Sequence, residues 1–102
     1  MNILLVCAAG MSTSLVVNKM KKALTEEEKN WTIEAQPVDS LEEVIDDYDV
    51  ILLGPQIKYK ADEINKIGDE YNTPVGVVDS KDYGMGKGRN ILNQAIKLKE
   101  NY

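Results

Sequence analysis

The sequence predicts an α/β fold, a single-domain open four-stranded parallel sheet in the order 2-1-3-4 with helices on both faces. Three observations predict it. Short apolar runs alternate through four cycles with segments whose apolar residues return every three or four positions, which is the pattern of strand, helix and crossover repeated. Two of the runs, Ile3 to Val6 and Asp49 to Leu53, lack the polar alternation of a half-exposed strand and so read as central strands covered on both sides. At 102 residues the chain is long enough to bury a modest core without disulfides or metal, so residues 1–102 are expected to form one domain.

Taken in order, Ile3 to Val6 is a buried first strand that ends in a glycine-bearing turn. Val16, Met20, Ala23 and Leu24 then mark one face of a first helix, with Ser12, Thr13 or Ser14 placed to cap it. The helix frays through Glu26, Glu27, Glu28 and Lys29. From Trp31 to Val38 the residues alternate, Trp31, Ile33 and Ala35 on one side and Thr32, Glu34 and Gln36 on the other. Such alternation suits an edge strand, and Pro37 fits only an edge or an end. Ser40 to Glu43 spells a capping box, predicting reciprocal side-chain bonds at the start of a short second helix.

Gly54, Pro55 and Gln56 break the third strand. Ile57, Ala61, Ile64, Ile67 and Tyr71 predict a third helix from about Tyr59 to Tyr71, ending before Pro74. Val75 to Asp79 reads as the last strand and Asp82 to Gly88 as a flexible loop. Ile91, Leu92, Ala95, Ile96 and Leu98 mark a closing helix. In this strand order the winding direction reverses between the first and third strands, and ligands bind such sheets at the carboxyl ends beside that point. Cys7, the Gly54 turn and the Asp79 to Gly88 segment are therefore expected on one rim.

Composition narrows the function classes. A net charge of −5 argues against a nucleic-acid surface, which needs clustered bases in excess of acids. One cysteine and no histidine leave no internal disulfide and make a transition-metal site improbable. No stretch resembles a secretory signal or approaches a membrane span, so a reducing cytoplasm and no direct membrane insertion are expected. Gly84, Gly86 and Gly88 lack the second strand and acidic ribose ligand of a dinucleotide fingerprint. Neither Gly10 nor Gly54 is followed by the lysine and hydroxyl of a nucleotide P-loop.

The chemistry concentrates in Cys7, Ala8, Ala9, Gly10, Met11, Ser12, Thr13 and Ser14, between a strand end and a helix start. A helix N-terminus offers unpaired amides and the positive end of its dipole, so it favours an anion such as a thiolate or a phosphoryl group on sulfur. Ala8, Ala9 and Gly10 are small enough for the main chain to curl around a tetrahedral oxyanion, and no proline removes a donor. Position alone also fits a cysteine packed as a small hydrophobe at the end of a strand. The coincidence of a thiol, small residues and three consecutive hydroxyls favours a working nucleophile in a phosphate cradle. With no histidine to act as base, its activation falls to loop amides and the helix end. Tyr83 either lines the same rim or anchors its loop.

The loop resembles that of low-molecular-weight tyrosine phosphatases, in which an arginine follows the cysteine at a fixed distance within the same architecture. Here Thr13 stands in that region and the arginine is missing. The chain more closely resembles, over its whole length, the IIB component of the bacterial sugar phosphotransferase system, lactose and cellobiose (chitobiose) type. Besides Cys7 to Ser14, the residues Leu52 to Gln56, Asp79 with Ser80, and Tyr83 with Gly84 carry the likeness. The resemblance implies a cytoplasmic phosphoryl carrier without a cofactor. Cys7 would accept phosphoryl from a histidine-phosphorylated IIA protein and pass it to a sugar, such as cellobiose, chitobiose or lactose, moving through the membrane component IIC. A tyrosine-phosphatase-like hydrolase and a noncatalytic phosphate-binding module are the competing expectations. The first lacks the guanidinium that holds a transferring phosphoryl group by two parallel bonds, and the second lacks aromatic stacking residues in the loop.

Overall fold

The computed structural model describes residues 1–7 and 14–102. Its four strands, β1 (Asn2–Cys7), β2 (Thr32–Pro37), β3 (Val50–Leu53) and β4 (Val75–Val77), form one parallel sheet in the order β2-β1-β3-β4. The predicted order 2-1-3-4 is the observed one. Among the described residues five α-helices accompany it: α1 (Ser14–Lys22), α2 (Leu41–Val44), α3 (Ala61–Glu70), α4 (Ser80–Gly84) and α5 (Gly88–Glu100).

Strand periodicity divides the core in two. Ile3 and Leu5 of β1 face α1 and α5, packing with Val16, Val17, Met20, Ile91, Leu92 and Ala95. Leu4 and Val6 point the other way and pack with Leu41, Ile45, Ile57 and Ile64 from the α2 and α3 side. Because successive strand side chains alternate between faces, one uninterrupted apolar run supplies both cores. The helices on the first face approach closely. A Cβ on Gly88 would lie 2.3 Å from the Lys19 carbonyl oxygen, so glycine is what lets α5 cross α1 at this separation.

Local details differ from expectation where short-range bonding competes. Ser40 makes no side-chain cap at α2, because a 3₁₀ turn over Val38–Ser40 runs straight into the helix and gives Ser40 itself helical dihedrals. The extended conformation required of a capping residue is absent there. Glu28 instead turns back on Thr25, whose backbone N–H donates to Glu28 Oε1 at 3.1 Å, and residues Glu26–Glu28 form a 3₁₀ turn where fraying was expected. The third helix starts later than Tyr59, since a 3₁₀ run over Pro55–Lys60 precedes it. Asn72, in the left-handed region at φ 56°, ends it ahead of Pro74.

The segment expected as a flexible loop is partly helical. Asp79 does not close the last strand but caps α4, its Oδ1 accepting from the Lys81 and Asp82 amides at 2.9 and 3.1 Å. Asp82, Tyr83 and Gly84 therefore lie in a helix, and only Met85 to Lys87 connect it to α5. Gly86 adopts φ 63° there, against the Lys19 side chain.

Candidate functional site

Cys7 is the last residue of β1, 6% exposed. Its neighbour in the sheet is Pro37, and its Sγ donates toward the Gln36 carbonyl oxygen at 3.9 Å. The thiol is thus held by the strand end itself, between a central strand and the edge strand. Ser14, exposed, opens α1 on the far side of the turn. Ala8, Ala9, Gly10, Met11, Ser12 and Thr13, read above as the cradle, lie outside the described residues.

The third strand brings the next component. Leu53 pairs with Val6, and the Gly54 N–H donates to the Val6 carbonyl at 2.9 Å. The Gly54, Pro55, Gln56 turn therefore sits beside Cys7, as the strand order predicted. A Cβ on Gly54 would stand 2.7 Å from Gln56 Oε1, the movable end of a side chain, and at ordinary contact distance, 3.7 Å, from Tyr83 Cε2, so both side chains lie against this turn.

Tyr83 completes the arrangement. It projects from α4, half-buried, against the Gly54 turn. Burial first, and then negative charge at Cys7, push its phenol above the ordinary tyrosine value, while a hydrogen bond with the Gln56 side chain acts in the opposite direction. A neutral hydroxyl beside the thiol is a donor for an anion held there. Both roles open to Tyr83 in the sequence are visible, since it lies near Cys7 on the rim and is tied by packing and its Gln56 bond. Its bond with Gln56 had no sequence signal, because nothing in local spacing links a turn after β3 to a helix after β4.

Large exposed apolar residues occur on segments that follow the strands. Leu15 in the first turn of α1, Tyr59 after β3 and Met85 after α4 are 63%, 77% and 62% exposed. All three belong to segments that leave the carboxyl ends of the strands or follow them closely. No described helix is long and apolar enough to cross a membrane.

Residues 2–94 match the family model described as "PTS system, Lactose/Cellobiose specific IIB subunit". The chain is similar to the oligo-beta-mannoside-specific EIIB component of Bacillus subtilis, with 39% identity covering 97% of this chain and 96% of that protein. It is similar as well to the galactose-specific EIIB component of Lactococcus lactis subsp. cremoris, at 39% identity over 94% of each. Among solved structures, the cellobiose-specific phosphotransferase IIB component of Borrelia burgdorferi superposes with a TM-score of 0.80 at 40% identity. That match covers 99% of this chain and 93% of the other.

Proposed function

Because the chain belongs to the lactose/cellobiose-specific IIB family of the sugar phosphotransferase system, whose members carry phosphoryl groups in sugar uptake, we propose that Cys7 is the residue that carries the group here. The chain is a sugar phosphotransferase component, and IIB components work with IIA and IIC partners. The finer reading is that Cys7 takes its phosphoryl from a histidine-phosphorylated IIA protein and yields it to a β-disaccharide passing through IIC. The relatives differ in the sugar their names carry, which fits a carrier whose partner, not its own pocket, selects the substrate.

The steps balance as follows. The Cys7 thiolate attacks phosphorus, the S–P bond forms and the P–N bond breaks, and the histidine of the donor keeps the electron pair. In the second half a sugar hydroxyl attacks phosphorus from the side opposite sulfur. The O–P bond forms, the S–P bond breaks, and the thiolate is regenerated. The hydroxyl proton leaves to a base of the acceptor or to solvent, since this chain has no histidine. Phosphoryl transfer of this kind needs positioning and charge stabilisation more than covalent help from the protein. The amides of Ala8 to Ser14 and the N-terminus of α1 would supply that stabilisation, with the Tyr83 hydroxyl as a further donor. Such a carrier works in the cytoplasm, at the inner face of the membrane that holds IIC.

The observation that carries this reading is the placement of the chain's only cysteine at the carboxyl end of a central strand, buried, with the β3 turn and Tyr83 around it. The test is mass spectrometry after incubation with phosphoenolpyruvate, the general phosphotransfer proteins and a cognate IIA. Wild type should gain one phosphoryl group on Cys7, and Cys7→Ser should fold and gain none. Normal phosphorylation of Cys7→Ser would move the site elsewhere and end this assignment.

A further inference from the structure

The sheet face away from α1 and α5 carries a groove that the phosphoryl site does not use. It runs between α2 and α3, with Leu41, Ile64 and Ile67 among its apolar residues and Asp39, Glu42 and Glu43 along its wall. These three carboxylates are exposed, and among the described residues no salt bridge reaches them. From Asn30 to Ile57 the sequence holds seven acids and neither lysine nor arginine, although the rest of the chain is slightly basic. Only Lys60 brings a positive charge to the groove.

The groove opens onto the rim that bears Cys7. Pro37 pairs with Cys7, and Val38 and Asp39 follow it directly. Lys60 closes the 3₁₀ run that leaves the carboxyl end of β3. A macromolecule seated over Cys7 and extending down this side meets the groove next, and must present positive charge to do so without repulsion. The anionic inner leaflet of a membrane is excluded by the same rule. The cytoplasmic loops of membrane proteins, which carry an excess of lysine and arginine, match it.

We propose that the groove between α2 and α3 seats a lysine- and arginine-rich cytoplasmic surface of the membrane-embedded sugar acceptor, orienting it over Cys7. This rests on the carrier reading above and deepens it: donor and acceptor both need the thiol, but only the acceptor needs the groove. The two partners are thereby told apart by a surface that lies beside the chemistry.

The test uses the full chain with Glu42→Lys/Glu43→Lys, and with Glu42→Gln/Glu43→Gln as a milder pair whose folding is less in question. Each is phosphorylated by the donor protein. Transfer to sugar is then followed in vesicles containing the acceptor, over a range of carrier concentrations, at low and at molar salt. At low salt the half-maximal concentration should rise about tenfold for the lysine pair and severalfold for the glutamine pair, and the differences should shrink as salt screens the charges. The donor step should keep its rate. An unchanged acceptor step in the lysine pair, a donor step that falls in proportion, or equal binding of wild type to acceptor-free anionic vesicles would each overturn the proposal. Wild type that never carries phosphoryl on Cys7 would instead sink the carrier reading itself, a result visible before any acceptor is added.

Discussion

At the scale of single residues, Tyr83 is a built-in reporter of what happens at Cys7. Its phenol is pushed up by burial first and by negative charge at Cys7 second. Cys7→Ser removes that charge, so Tyr83 should titrate at lower pH in the variant than in wild type, and at higher pH once Cys7 bears a doubly charged phosphoryl group. The measurement is a pH titration of the ring ζ-carbon by NMR with labelled tyrosine. Coincident curves for wild type and Cys7→Ser would show that the phenol does not sense the thiol. Thr13 makes a second prediction, from sequence alone. A carrier must keep its phosphoryl group until the acceptor arrives, and a guanidinium accelerates transfer elsewhere by roughly 10³ to 10⁵, to water as well as to sugar. Thr13→Arg should therefore shorten the phosphocysteine lifetime severalfold or more, read as phosphate release from the isolated phosphoprotein. An unchanged lifetime in the folded variant would reject this account of Thr13.

At the scale of elements, α5 is tied at two points to α1 and to the segment that follows it. Gly88 lets the α1 and α5 backbones meet, and replacing it with alanine sets a Cβ against the Lys19 carbonyl, which is main chain and cannot swing aside. Gly88→Ala should cost about 1–3 kcal/mol, a fall in Tm of roughly 4–8 °C per kcal/mol for a domain of this size. In Gly76→Ala the obstacle is the flexible end of Leu98, so its loss should be smaller; the reverse order in calorimetry would contradict the packing argument. The second joint is Arg89, which donates to both Glu28 carboxylate oxygens at 2.7 and 3.2 Å and to the Ala23 carbonyl at 3.3 Å. Hydrogen bonds from Arg89, and then the Thr25 amide, hold the Glu28 carboxyl well below its usual 4.5, at about 2. A depressed acid favours the fold in its charged form. Its contribution is complete above about 4.5 and is lost as pH falls toward about 2. Urea midpoints of wild type and Glu28→Gln should therefore converge over that interval; parallel profiles would show that the bridge adds nothing. None of this was legible in the sequence. Capping boxes are local patterns, so Ser40 to Glu43 spelled one that the preceding turn displaced, while the partner of Glu28 lies beyond any local window.

For the whole molecule, strand order, layering and the meeting of Cys7 with the Gly54 turn were legible because they follow from apolar periodicity and the handedness of crossovers. What escaped was the helical character of Ser80 to Gly84, where glycine content argued for a loop and a single aspartate cap outweighed it. The central pair β1 and β3 is flanked by strands and covered on both faces, so the amides of Leu4, Leu5 and Leu52 should exchange only through global unfolding. Hydrogen exchange in low urea tests this, and exchange by local opening there would refute it. The thiol ends an interior strand and is 6% exposed, so it has no tether on which to travel between clients. Each client must come to the same doorway, and the first must depart before the second can enter. The carrier should accordingly show ping-pong kinetics, and an excess of unphosphorylated donor should slow sugar phosphorylation by occupying the threshold.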